Sequence, residues 1–277
     1  MLTYSQKLLR GLHLSDSRIL TVLPLLTLKS FETGDVILEK DCSVNSWSCV
    51  VSGFVAASVQ LESGKRLPVH IFGQDEWFGE QSLLTNQSCH FDYTSLTPVE
   101  LIAMPRSCFD KALLDDQAFA QFLLSLVAYR AQQHGDMLTL MRLGSSPLQV
   151  AMGLAQFVET STQKMFSSSV ALFPNTVDIP ISQHHLADYC GVSRTLFSEY
   201  IQHLSLAGWL KLRYGGIELK SVQTWRIFAQ RQRKRKIVNS KPTIQDLLKD
   251  MSAANAEIGP YRFPNLLSTR VSKLERS

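Results

Sequence analysis

Ser193, Arg194, Thr195, Ser198 and Glu199 place hydroxyl, guanidinium and carboxylate groups along one short stretch, with Gln183, His184 and Gln202 close by. These side chains suit hydrogen bonding to base-pair edges and phosphates. An Arg fork grips guanine O6 and N7, and a carboxylate accepts from cytosine N4. Arg194 is the leading candidate for a base contact and Glu199 for a second. Gln183, His184, Ser193, Thr195, Ser198 and Gln202 complete the candidate interface. Such groups read DNA only when a helix carries them into the major groove.

The surrounding residues predict that helix. Leu186, Cys190, Val192, Phe197 and Tyr200 recur at spacings that build one buried face, Ala187 is small where two helices approach, and Gly191 suits a tight turn at positive φ. Residues 183–202 therefore match a helix-turn-helix, with 193–207 as its second helix and Gly208 as the stop. Residues 209–213 and 217–220 alternate on either side of Tyr214-Gly215-Gly216, the pattern of a hairpin. Helix-turn-helix plus hairpin is a winged helix. Two ordinary packed helices are the competing reading.

Charge distribution favours the DNA reading. The net charge is +4, but the first 150 residues are net acidic and the rest net basic, as expected of a non-binding half joined to a polyanion-binding half. Five cysteines, at 42, 49, 89, 108 and 190, are odd in number and lack close spacing, which suits reduced thiols and a cytoplasmic location. No stretch is apolar enough to predict a signal peptide or a membrane span. No nucleophile–base set, phosphate-binding glycine loop or carboxylate pair emerges, so no enzymatic activity is expected.

The N-terminal half predicts short strands from Phe31 to about Pro105, separated by turns at residues 33–35, 52–53, 62–65 and 72–75. Strands at 36–38, 48–51, 54–61, 67–72 and 99–104 fit a small antiparallel roll, with residues 11–29 as a helical lead-in. The fold class is thus α+β: an N-terminal antiparallel β-roll sensor domain (1–115), a long dimerisation helix (116–143), a winged helix-turn-helix (144–222) and a basic C-terminal extension (223–277), partly disordered.

Four landmarks in order, Phe31-Glu32-Thr33-Gly34-Asp35, Val50-Val51-Ser52-Gly53, Trp77-Phe78-Gly79-Glu80 and the helix-turn-helix, mean that the chain resembles the Crp/Fnr family of bacterial transcription regulators over roughly residues 25–222. The resemblance implies a cyclic-nucleotide-type roll, DNA binding as a homodimer to inverted repeats, and RNA polymerase as a further partner. Members that bind cyclic AMP hold its ribose with the Glu matching Glu80 and its phosphate with an Arg-Ser pair. Gly79 and Glu80 match, but Cys89-His90 stands where Arg-Ser is expected. Neutral side chains do not replace a guanidinium for a buried phosphate. Glu80 then reads as a structural relic and cyclic AMP as not the effector. Gly79, Glu80, Cys89, His90, Arg130 and His134 form the candidate effector pocket. Haem or an iron–sulfur cluster lacks a suitable ligand set, so no cofactor or metal is expected. The alternative is a cyclic-nucleotide-binding or redox-sensing module that regulates a partner protein.

In the long helix, Leu123, Val127, Arg130, His134, Met137 and Met141 recur at alternating spacings of 3 and 4, predicting one seam for a parallel coiled coil or for packing on the roll. Residues 144–147, Gly-Ser-Ser-Pro, break that helix into a hinge. Beyond the wing, 224–235 reads as a helix whose basic run, 231–236, suits DNA phosphates. The competing reading folds the tail back through Ile244, Leu247, Leu248 and Met251, a capped amphipathic segment.

Overall fold

The computed structural model describes residues 2–162, 175–234 and 241–258. Helices α1 (Leu2–Gly11) and α2 (Asp16–Val22) lead through a 3-10 turn at Leu23–Leu25 into strand β1 (Thr27–Phe31). The helical lead-in expected over residues 11–29 is broken into a short helix and a 3-10 turn, and residues 27–29 belong instead to β1. The Ser15 side chain caps a fresh helix by accepting from the Arg18 N–H, and Pro24, with no N–H to give, sits in the 3-10 turn.

The roll continues with β2 (Val36–Leu38), β3 (Ser46–Ser52), β4 (Val55–Gln60), β5 (Arg66–Phe72) and β6 (Trp77–Phe78). A short helix α3 (Glu80–Thr85) precedes β7 (Asp92–Ser95), β8 (Val99–Pro105) and helix α4 (Arg106–Asp115). The strands make two four-stranded sheets, ordered β1-β8-β3-β6 and β2-β7-β4-β5, with antiparallel pairing throughout. Their shared core centres on aromatic residues. The Trp47 ring lies 4.4 Å from Trp77, 5.4 Å from Phe109 and 5.8 Å from Phe119. Phe119 belongs to the next helix, so the long helix is seated on the roll by its first turn.

That helix, α5 (Gln117–Leu143), follows a bend at Asp116 and stops at Gly144, whose extended backbone separates it from α6 (Ser146–Thr162). Pro147 stands in the first turn of α6, where a missing N–H costs nothing. The second core gathers α6, β9 (Thr176–Ile179), α7 (Gln183–Tyr189), α8 (Arg194–Leu206), β10 (Leu210–Arg213), β11 (Gly216–Lys220), α9 (Val222–Lys234) and α10 (Ile244–Glu257). The wing is a three-stranded sheet, β10-β11-β9. Gly216, expected in the turn, belongs to β11, and a Cβ there would lie 2.4 Å from the Ile179 carbonyl of β9. The third strand therefore explains the second glycine.

Described residues of the C-terminal extension are structural. Trp225, Phe228 and Ala229 of α9 and Leu247, Met251 and Ala254 of α10 are fully buried. Thr243 and Asp246 form a reciprocal capping box that starts α10. Residues 259–277, expected to be disordered, lie outside the described residues.

Candidate nucleic-acid interface and effector pocket

Two serine caps shape the helix-turn-helix. Ser182 accepts from the His185 N–H at 3.3 Å to begin α7, and Ser193 accepts from the Leu196 N–H at 3.3 Å to begin α8. Gly191 adopts φ 69° in the turn between them. Leu186, Ala187, Phe197, Ile201 and Leu204 are buried, which turns the opposite side of α8 outward. Ser193, Arg194, Thr195, Glu199 and Gln202 are exposed, as is His184 on α7, while Gln183 and Ser198 are half-buried. The eight residues thus share one pair of helices and the turn between them. One support was missed in the sequence: a Cβ at Gly153 of α6 would lie 2.6 Å from Cys190 Sγ, so α6 packs directly beneath the turn.

The helix-turn-helix leans on its own roll. Lys65, in the β4–β5 turn, pairs with Asp188 of α7 at 2.6 Å, and Asp188 lies 3.5 Å from His184. Ring contacts between Phe54 and Phe157 at 6.1 Å, and between Phe157 and Tyr189 at 5.6 Å, join the same surfaces. In the wing, Arg213 is spent on Glu218 at 2.6 Å and Asp178 at 3.6 Å, which fastens the sheet. Tyr214 at the tip is fully exposed.

In the roll, Gly79 adopts φ 98° and introduces Glu80 as the first residue of α3. The Glu80 carboxylate is buried, accepts from Trp47 Nε1 at 3.2 Å, and pairs with Arg130 of α5. Arg130 also donates to the Trp77 carbonyl, and its guanidinium lies 5.3 Å from the centre of the Phe72 ring. Burial works against that charge, but the Glu80 carboxylate outweighs it and holds Arg130 more firmly protonated than usual. The His70 ring lies tilted against Phe72 at 4.4 Å, stands 3.9 Å from Glu76, and meets the His134 ring edge-on at 6.2 Å. Burial, His70 and Arg130 together lower the His134 pKa below its usual value.

Of the six pocket candidates, Gly79, Glu80 and Arg130 come together, and His134 adjoins them through His70. Cys89 is buried with Sγ donating to the Phe91 carbonyl at 3.1 Å, and burial pushes its thiol pKa up. His90 is exposed on the surface. His70, Glu76, Trp47 and Trp77 were missed; β5 carries no motif to mark His70, and only the closing of the roll brings it to α5.

The predicted seam of α5 is also corrected. Leu123 is buried in the roll core, Arg130 turns to Glu80, and Met137 packs on the second core. Val127 and Met141 of that seam remain exposed, together with Leu124 and Leu138 outside it. The exposed apolar stripe therefore keeps Val127 and Met141 of the expected seam and adds Leu124 and Leu138, because the roll and second core claim Leu123, Arg130 and Met137.

Two arginines of the basic run of α9 are engaged within the chain. Arg233 holds Glu159 of α6 through two bonds at 2.5 and 2.6 Å and Asp136 of α5 at 3.0 Å, and Arg231 pairs with Glu257 of α10. The folded-tail reading thus replaces the free basic arm for these two residues. Arg235 and Lys236 lie outside the described residues.

Residues 28–116 match the model of the cyclic nucleotide-binding domain. The chain superposes on FixK2 from Bradyrhizobium japonicum with a TM-score of 0.61 at 20% identity, covering 73% of this chain and 96% of that one. The chain has the Crp/Fnr fold. A transcriptional regulator of the CRP/FNR family from Thermus thermophilus aligns at TM-score 0.53 and 20% identity, over 74% of this chain and 98% of that one. In sequence, the global nitrogen regulator of Synechococcus elongatus is 30% identical over 110 residues, which is 39% of this chain and half of that relative. The resemblance to the Crp/Fnr family drawn from the glycine landmarks is borne out, and so is the α+β architecture. Among the described residues, no helix of the chain is long and apolar enough to cross a membrane.

Proposed function

We propose that this chain is a sequence-specific DNA-binding transcription regulator, active in the cytoplasm as a homodimer on inverted-repeat sites, and that cyclic AMP is not its effector. The observation that carries the reading is α8: capped by Ser193, buried on one side by Phe197, Ile201 and Leu204, and presenting Arg194, Thr195, Glu199 and Gln202 to solvent beside a wing. A helix so presented is what a major groove accepts. The exposed stripe of Leu124, Val127, Leu138 and Met141 supports pairing of two α5 helices, which would set two copies of α8 at half-sites one helical turn apart. RNA polymerase enters this proposal as the partner a regulator acts on.

The effector part rests on Arg130. A nucleotide phosphate needs a cation, and the cation nearest Glu80 is already committed to that carboxylate and to the Trp77 carbonyl. Cys89 and His90 offer no substitute charge.

The test is selection from random duplexes with the full-length protein, followed by native mass spectrometry of the protein alone and on the enriched duplex. One enriched inverted repeat, a dimer mass and no retained nucleotide are expected. Failure to enrich any site would overturn DNA reading, and saturable cyclic AMP binding by calorimetry would overturn the effector statement alone.

A further inference from the structure

Cys42 and Cys89 stand far apart in sequence, and nothing in their spacing couples them. In the fold they are opposite one another. The Asp41 N–H donates to the Cys89 carbonyl at 2.8 Å, and the Cys89 N–H donates to the Cys42 carbonyl at 2.9 Å. Asp41 adopts φ 64°. This is the bonding of a bulge in which two residues, one in the left-handed region, face a single residue across the strand pair. The turn that precedes it is closed by the Cys42 N–H on the Glu39 carbonyl at 3.3 Å, and the Lys40 N–H on Asp92 Oδ1 at 2.9 Å fixes it to β7.

Opposed residues of an antiparallel pair have Cα atoms about 4.5–5.5 Å apart, within the roughly 4.4–6.8 Å that a disulfide spans, and the bond from Cys89 to the Cys42 carbonyl sets these two residues opposite one another. All five cysteines are free; Cys42 is exposed and the other four are buried. The pair therefore joins one sulfur that solvent reaches to one that solvent does not. Cys89 Sγ now rests on the Phe91 carbonyl, a weak bond that rotation about its side chain can exchange for Cys42.

We propose that Cys42 and Cys89 form a peroxide-responsive dithiol pair that closes to an intramolecular disulfide. Cys42 Sγ attacks one oxygen of hydrogen peroxide, breaking the O–O bond; Cys42 becomes a sulfenic acid, and the other oxygen leaves as water after taking the thiol proton. Cys89 Sγ then attacks the Cys42 sulfur, the S–O bond breaks, and the hydroxyl leaves as a second water with the Cys89 proton. Two thiols are oxidised and one peroxide is reduced, so the step balances. The buried position of Cys89 suits it to the resolving role, since its attack is intramolecular. The bridge pins the loop after α3, the helix whose first residue, Glu80, holds Arg130 of α5.

The experiment treats reduced full-length protein with hydrogen peroxide, blocks remaining thiols with an alkylating reagent and digests it without reductant. A loss of about 2 Da per chain, a cross-linked peptide joining Cys42 to Cys89, and recovery of both thiols with dithiothreitol are expected. C42S, at an exposed site that does not threaten folding, abolishes the cross-link; C108S retains it. Stable sulfinic acid at Cys42 with Cys89 still alkylated, or a disulfide joining Cys42 to a second chain or another cysteine, would overturn the proposal.

Discussion

Arg130 of the long helix and Glu80 of the roll form a buried ion pair, with Trp47 Nε1 occupying the second carboxylate oxygen. Family resemblance assigns a ribose contact to the position of Glu80, yet here the carboxylate links three elements: β3 through Trp47, α3 that carries it, and α5. Removing one partner leaves a buried charge without compensation, which typically costs about 3–5 kcal/mol. Arg130→Ala is therefore expected to lower stability by about that amount in urea unfolding, and the neutral pair E80Q with R130M to recover most of it. Equal losses in the single and double variants would refute the pairing as the cause.

His134 makes the same region sensitive to acid. Its folded pKa lies below the usual 6.5, chiefly from burial and then from His70 and Arg130, with Glu80 acting the other way. The unfolded chain therefore binds a proton at a pH where the folded chain does not. Stability from this group is intact above 6.5 and falls as pH drops through that value toward the folded pKa. His134→Gln should flatten the decline in urea midpoint over that window; an unchanged slope would show that His134 does not contribute.

Base reading is expected to rest on Arg194. It is exposed at the first position of α8, where a guanidinium gripping guanine supplies about 1–3 kcal/mol of discrimination. Arg194→Ala should relax preference at one symmetric pair of positions in the selected site. Glu199→Gln should relax preference at a cytosine, and retention of both preferences would move base recognition elsewhere.

Pairing of α5 should respond to its exposed stripe and not to its buried one. Leu138→Arg is expected to convert a dimer to a folded monomer in sedimentation velocity, with the thermal transition of the monomer retained. Leu123→Ala instead removes a buried side chain from the roll core and should cost about 2–5 kcal/mol without changing the association state of the folded protein. A dimer unaffected by Leu138→Arg would place the interface on another surface.

The extension should behave as core. Met251→Ala is expected to destabilise by about 2–5 kcal/mol, because Met251 is fully buried beside Trp225 and Phe228 in the second cluster. Arg231→Ala, at an exposed pair with Glu257, should cost no more than about 1 kcal/mol and leave the salt dependence of DNA binding nearly unchanged. A clear loss of salt dependence would return Arg231 to the phosphate backbone.

Local patterns in the sequence determined five of the eight strands described in the roll, the helix-turn-helix with its Gly191 turn, the hairpin of the wing and the capped α10, because each depends on residues near one another in the chain. Gly191 acts over a few positions, so its role in the turn is visible without a fold. Tertiary structure alone decided which side of α5 is free, since Leu123 and Leu124 are equally apolar and only the seated roll distinguishes them. It decided likewise that Gly216 belongs to a strand, through β9, and that Arg233 faces Glu159 and Asp136 rather than a phosphate. Arg130 shows the same limit: periodicity placed it on the predicted seam, and burial of Glu80 at the edge of that seam turned it inward. Contacts between segments far apart in the chain depend on how the two cores close, and hydrophobic spacing records only that a residue is to be buried, not against which neighbour.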